Sequence, residues 1–181
     1  MTQVARDLYG QHMRFSKRVK RLSPSYDFMS DLETESDREQ LLHIIIDTAS
    51  RLLDADRTTL FLVDRHRRQL WSKIAQGLTS YEIRMGLEEG VAGHVASTGE
   101  TLNVPDASED SRFNPSIDRQ TGYRTMTLLC MALRDPHGNV VGVIEVMNKR
   151  HGVFTEEDEQ ILGDLCSQAA ILVNALEFYE T

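Results

Sequence analysis

One acidic residue sits where the hydrophobic pattern calls for a hydrocarbon. In the run Val140 to Met147, strand alternation puts Glu145 on one face with Val141, Val143 and Met147. A carboxylate on an apolar face is costly unless something donates a hydrogen bond to it, which points to a ligand; a solvent-facing strand edge is the other reading. Lys149 ends the same run, and Asp158 falls in the first turn of the helix that Thr155 starts. A Lys149–Asp158 pair would clip strand to helix, or Asp158 is simply a first-turn acid capping with Thr155. Cys130, in an apolar run, and Cys166, in a helical stretch, lack the spacing of a metal or redox pair and read as buried, inert thiols. The histidines are scattered without metal-ligand spacing. Gly86, Gly90 and Gly93 do not match a dinucleotide fingerprint, and no phosphate loop, zinc-protease helix or nucleophile elbow occurs. These residues imply no enzyme, no metal and no resident cofactor.

The elements that would position these residues follow from periodicity. Val4, Leu8, Phe15, Val19 and Leu22 mark an amphipathic helix with a narrow seam, followed by a linker from Ser23 to Glu35. Ser36 with Glu39 offers a capping box ahead of a second helix, whose buried face is Leu41, Leu42, Ile45, Ala49, Leu52 and Leu53. The period then changes. Thr58 to Val63 and Leu70 to Ala75 form a hairpin, Glu82 to Leu87 a third strand, Val91 to Ala96 a short helix and Thr101 to Val104 a strand stopped by Pro105. Residues 105–125 are polar and irregular, long enough to be functional or mobile rather than idle. Met126 to Leu133 and Val140 to Met147 make a second hairpin around Asp135-Pro136-His137-Gly138-Asn139. From Thr155 a last helix carries Ile161, Leu165, Ala169, Leu172, Leu176 and Tyr179 to the end of the chain, a stripe that fits a fragment of a longer protein.

With 181 residues, 40% apolar and 27% charged, the chain has the composition of one folded domain with helical extensions. The net charge of −8 argues against nonspecific nucleic-acid binding, which needs clustered cations. A basic stretch, Arg6, Arg14, Lys17, Arg18, Lys20 and Arg21, is read as a solvated helix face, or as a docking surface for an acidic partner. No apolar run approaches the roughly 20 residues of a membrane helix, and the N-terminus lacks a signal-peptide pattern. The expectation is a cytoplasmic protein with no membrane partner.

Three segments together resemble the GAF family, and within it the cyclic-nucleotide-binding GAF domains of phosphodiesterases and cyanobacterial adenylyl cyclases. They are Tyr81 to Gly99 with Leu102-Asn-Val-Pro-Asp-Ala, then Asp118 to Thr125, then a signature of Asn148, Lys149, Phe154, Asp158 and Glu159. The resemblance covers about residues 37–176. It implies an α/β (α+β) fold, a central antiparallel sheet with helices packed on it and a lid over a ligand pocket. Residues 1–36 are then an N-terminal helix and linker, 37–176 the GAF domain, and 177–181 the start of a C-terminal connecting helix.

The resemblance also implies a ligand site, carried over position by position. Thr59, Ile74 and Ala75 on the first two strands would meet the base, and backbone N–H groups of Val91 and Ala92 would hold the cyclic phosphate. Asn114, Asp118, Thr121 and Thr125 would form the lid, and Glu145 would complete the set. Some relatives carry an aromatic at the position of Ile74 and Asp at that of Ala75; Trp71 could compensate only in another register. The five signature residues would be structural. The implied function is a regulatory sensor of cAMP or cGMP that signals through terminal helices to an output domain of the same polypeptide, and the apolar seams of those helices suggest a homodimer through them. The alternative is a dimerisation module whose pocket is empty or takes an unrelated metabolite. A third reading, a haem or redox sensor with His94 as axial ligand, is weaker because His94 lies in a small-residue helix.

Overall fold

The structure, a computed structural model, describes residues 35–77 and 82–177. The expected N-terminal helix, linker and basic stretch, together with Tyr81 and residues 178–181, lie outside the described residues. The chain divides into two compact units, Met1–Glu39 and Gln40–Thr181, and the sheet, the cavity and the side-chain contacts described belong to the second.

Among the described residues there are four helices and six strands. They are α1 (Glu35–Leu52), β1 (Ala55–Asp64), β2 (Gln69–Ala75), β3 (Arg84–Gly86), α2 (Gly90–Thr98), β4 (Leu102–Val104), α3 (Ser116–Thr121), β5 (Leu128–Arg134), β6 (Val140–Lys149) and α4 (Glu156–Glu177). The strands form one sheet in the order β3-β2-β1-β6-β5-β4, every neighbouring pair antiparallel. The two expected hairpins are present as β1–β2 and β5–β6. The second turn is set by Asp135, whose carboxylate accepts hydrogen bonds from the His137 and Asn139 amides, and by Gly138 at φ +87°.

Both faces of the sheet are covered, and alternation sorts the side chains. Leu60, Leu129, Leu133, Ile144 and Val146 face α4, which buries Leu162, Leu165, Ala169 and Val173. On the same face, α1 buries Leu42, Ile45, Ile46 and Ala49, with Leu53 buried just past its end, and its Ser50 is 2.6 Å from the Thr58 hydroxyl of β1. The opposite face carries Phe61, Leu70, Cys130 and Val143, packed under Val91, Ala92 and Val95 of α2. Helix α2 lies tight against the preceding turn: a Cβ on Gly93 would fall 2.9 Å from the Gly86 oxygen. Only glycine lets the backbones come that close.

The signature residues join these parts. Lys149 Nζ donates to the Leu53 carbonyl at 2.8 Å and to Asp158 at 2.9 Å. Asp158 also accepts from the Thr155 amide at 2.8 Å, and its own amide donates back to the Thr155 hydroxyl at 3.3 Å. The two readings of Asp158 are therefore both met: it caps α4 and clips β6. Phe154 is buried, and Asn103 Nδ2 donates both to the Phe154 carbonyl and to Glu159.

Candidate functional site

The segment between β4 and β5, read from sequence as irregular, contains the six-residue helix α3 and folds as a lid. Its two ends are fixed differently. At the front, Asn114 Nδ2 donates to Glu89 Oε1 at 2.7 Å. At the back, the Tyr123 hydroxyl donates to Asp56 at 2.8 Å while accepting from Asn148 Nδ2 at 2.9 Å. The Arg57 guanidinium stacks 4.1 Å from the Tyr123 ring centre. Asn148, at φ +57°, also accepts from the Met126 and Thr127 amides and donates to the Arg124 carbonyl. Asparagine tolerates this left-handed backbone better than most residues.

A cavity lies between the lid, α2 and the sheet. Its interior is about 70 Å³, and the cleft measured out to open solvent about 720 Å³. Eight of the ten residues expected at the ligand site line it: Thr59, Val91, Ala92, Asn114, Asp118, Thr121, Thr125 and Glu145.

Ile74 and Ala75 do not. A register shift in β2 pairs Leu60 with Ile74 but Phe61 with Ser72, the mark of a β-bulge. Ile74 thereby turns with Leu60 to the face away from the cavity. Ala75, opposite Thr59, stays on the cavity side without lining it. Trp71 pairs with Leu62 on the far face and cannot compensate for either. Gln76 takes the place instead, together with Arg57, Phe61, Glu89 and Tyr123. Arg57 could have been found two residues before Thr59 on the same strand face. Gln76 gave no sequence signal.

Most polar groups around the cavity are already engaged by protein. Asp118 accepts from the Thr125 amide at 2.7 Å and from its hydroxyl at 2.8 Å. The Thr121 hydroxyl donates to the Ile117 carbonyl. Gln76 Oε1 accepts from Ser50 at 2.6 Å and from the Thr58 amide at 2.8 Å, and its Nε2 donates to Asp47 at 2.7 Å. Two side chains are the exception. Thr59 and Glu145 face one another across β1 and β6 on the cavity floor, and neither has a hydrogen-bond partner among the described residues. Burial, and secondly the Asp118 carboxylate, push the Glu145 carboxyl up to about 7. Cys130, directly beyond Glu145 on β5, is on the cavity side but fully covered, and its thiol is pushed well up by burial. It is inert by that criterion.

The third set of groups is main chain. Helix α2 begins at Gly90, and its first internal bond runs from the Gly93 amide to the Glu89 carbonyl. Glu89 makes no side-chain cap bond, so the first amides of α2, those of Val91 and Ala92 among them, have no cap. A carboxyl and a hydroxyl on the floor, with N–H groups at one end, form a site suited to holding a small polar molecule. Among the described residues no cluster of His, Cys, Asp or Glu could hold a metal ion, and no helix is long and apolar enough to cross a membrane.

Known proteins share this arrangement of elements. The GAF domain family model matches residues 37–173. The chain is 37% identical over 172 residues to the dual 3',5'-cyclic-AMP and -GMP phosphodiesterase 11 of Drosophila melanogaster, an alignment covering 86% of this chain and 12% of that protein. It is 38% identical over 148 residues to the probable 3',5'-cyclic phosphodiesterase pde-5 of Caenorhabditis elegans, covering 75% and 20%. The chain thus spans a fifth or less of the length of these relatives. Among solved structures, the GAF domain of a Coxiella burnetii phosphoenolpyruvate-protein phosphotransferase superposes with a TM-score of 0.70 at 21% identity, over 80% of this chain and 87% of that one. A GAF domain/HD domain protein of Geobacter sulfurreducens gives 0.67 at 16%, over 83% and 99%. At such identities the likeness speaks for the fold alone. The relatives above 30% identity and the match over three quarters of its length show that the chain belongs to the GAF domain family, as a regulatory domain rather than a catalytic one.

Proposed function

We propose that this domain senses a cyclic purine nucleotide, cAMP or cGMP, and passes the binding event to an output domain of the same polypeptide. The observation that carries this reading is the unpartnered pair on the cavity floor, Thr59 and Glu145. Glu145 is half-buried on the cavity floor and has no protein donor among the described residues, and an amino group or ribose hydroxyl would supply one. The uncapped amides of Val91 and Ala92 suit a cyclic phosphate without any basic side chain. The two phosphodiesterase relatives, named for cyclic nucleotides, support the same ligand class.

Size imposes a condition. Pockets for ligands of this kind span roughly 300 Å³ or more, whereas the interior is about 70 Å³. Binding on this reading requires the lid to rise and settle again over the ligand, with the Asn114–Glu89 contact as a side-chain tie at its front.

Two routes lead outward from the cavity. Gln76 lines it and is bonded to Ser50 and Asp47 of α1. Strand β6 carries Glu145 at the cavity, Asn148 on the lid, and Lys149 on α4 and on Leu53 just past the end of α1. A ligand could bias those helices only by its difference in affinity for two of their arrangements. A homodimer through these helices belongs to the same proposal, and Ile44 on α1 and Ile171 on α4, 46% and 61% exposed, favour it. The small interior favours a second reading, a dimerisation module without a nucleotide. Titration calorimetry and melting curves with cAMP and cGMP separate the two: heat and a raised Tm are expected, and neither effect at millimolar nucleotide would leave the second reading.

A further inference from the structure

Glu145 is set apart from the other acids of the domain by what surrounds it. On β1 its neighbours are Thr59, directly opposite, and Arg57, whose guanidinium is stacked on Tyr123 and 3.8 Å from Asp56. On β5 its neighbour is the buried thiol of Cys130. From the lid, Asp118 and Tyr123 line the same cavity, and from the start of α2, Glu89, which is held by the Gly86 amide and Asn114. Among the described residues no lysine or histidine lines the cavity. Three carboxyl groups therefore share a small space with one guanidinium that already has an aromatic ring and a carboxylate of its own. Glu89 and Asp118 each accept two hydrogen bonds from protein donors. Glu145 accepts none among the described residues.

We infer that ligand binding in this cavity is coupled to the release of a proton from Glu145, so that the domain responds to pH as well as to its ligand. The inference rests on the cavity being a nucleotide site. A ligand that donates to Glu145 needs it as a carboxylate, while partial burial without a protein donor, beside Asp118, favours the neutral acid. The two demands conflict, and the proton is what gives way. With the carboxyl titrating at about 7 before the ligand enters, its ionised share climbs from roughly a tenth at pH 6 to nine tenths at pH 8. The cyclic phosphodiester keeps its single charge throughout that interval. Tyr123, which also lines the cavity, stays neutral throughout, because burial pushes its hydroxyl up.

The test is titration calorimetry of the chain with cAMP and cGMP at about pH 6, 7 and 8, each in two buffers of different ionisation enthalpy. Affinity is expected to rise about tenfold from pH 6 to pH 8, with about half a proton released per ligand at pH 7. Glu145→Gln is expected to flatten the pH dependence and abolish the release. Asp118→Asn is expected to shift the rise to lower pH. Should Glu145→Gln fail to fold, the wild-type proton count alone decides. Binding with no proton released, with proton uptake, or with a slope that survives in Glu145→Gln overturns the inference and leaves the nucleotide reading standing. No binding by wild type at any of these pH values removes both.

Discussion

Replacing Asn148 by alanine removes the side chain that holds the back of the lid to the sheet. The carboxamide makes four hydrogen bonds: it accepts from the Met126 amide at 2.7 Å and the Thr127 amide at 3.3 Å, and donates to the Tyr123 hydroxyl at 2.9 Å and the Arg124 carbonyl at 2.8 Å. The residue is 9% exposed, so water cannot replace all four. At about 0.5–1.5 kcal/mol net per bond, with Met126 exposed enough to recover one, their loss costs about 2–4 kcal/mol. Alanine also inherits a backbone at φ +57°, which adds about 1 kcal/mol that glycine would not incur. The expected order of stability is therefore wild type, then Asn148→Gly, then Asn148→Ala, with the last about 3–5 kcal/mol below the first. Urea unfolding followed by circular dichroism reads this directly, as a midpoint lowered by about 1.5–2.5 M for a slope near 2 kcal/mol per M. An alanine variant within about 1 kcal/mol of wild type, or equal to the glycine variant, would refute the reasoning, because the first denies the hydrogen-bond load and the second the backbone strain.

Three further perturbations have defined outcomes. Lys149→Met strands a buried Asp158 and leaves the Leu53 carbonyl without its donor, a loss of about 2–4 kcal/mol; a double-mutant cycle with Asp158→Asn should return a coupling of about 1–3 kcal/mol, and a coupling near zero counts against the clip. Gly93→Ala, in an open helix, would stabilise by up to about 1 kcal/mol, but here the new Cβ meets the Gly86 oxygen and Glu88 carbon at 2.9 Å, so the melting temperature should fall; an unchanged or raised Tm contradicts the close packing. Glu145 is held neutral up to about 7 against 4.5 for an unhindered carboxyl, so the folded chain keeps a proton that the unfolded chain gives up between those values. Stability should accordingly fall by about 3 kcal/mol as pH rises through that window, and Glu145→Gln should match wild type near pH 4.5 and exceed it near pH 8; parallel pH profiles for the two proteins would be the contrary result.

Much of this architecture is legible from periodicity because the elements that build it are long and regular. Strand β6 pairs with β1 without a register break, so the place of Glu145 on a face with Val143 and Met147 follows from the two-residue period alone. The Asp135–Asn139 turn fixed one hairpin, and the Thr155–Asp158 spacing fixed the start of α4. What escaped has local physical causes. The bulge opposite Leu60 and Phe61 breaks the two-residue period in β2, so Ile74 leaves the cavity face although every second residue of the strand is still buried. Helix α3 has six residues, too few to show a period. Helix α1 begins at Glu35, one residue ahead of the expected cap at Ser36. Gln76 sits just past the end of β2 with no pattern to mark it, and only the fold brings it beside Ser50 and Asp47.

The most direct test is a crystal structure of the chain grown with saturating cAMP or cGMP. The account predicts nucleotide density between β6, α2 and the lid, with the cyclic phosphate on the Val91 and Ala92 amides, a ligand donor within about 3 Å of the Glu145 carboxylate, and residues 113–125 displaced to make room. A structure at saturating nucleotide in which that space is closed by protein side chains, with Glu145 still lacking a donor, would contradict it.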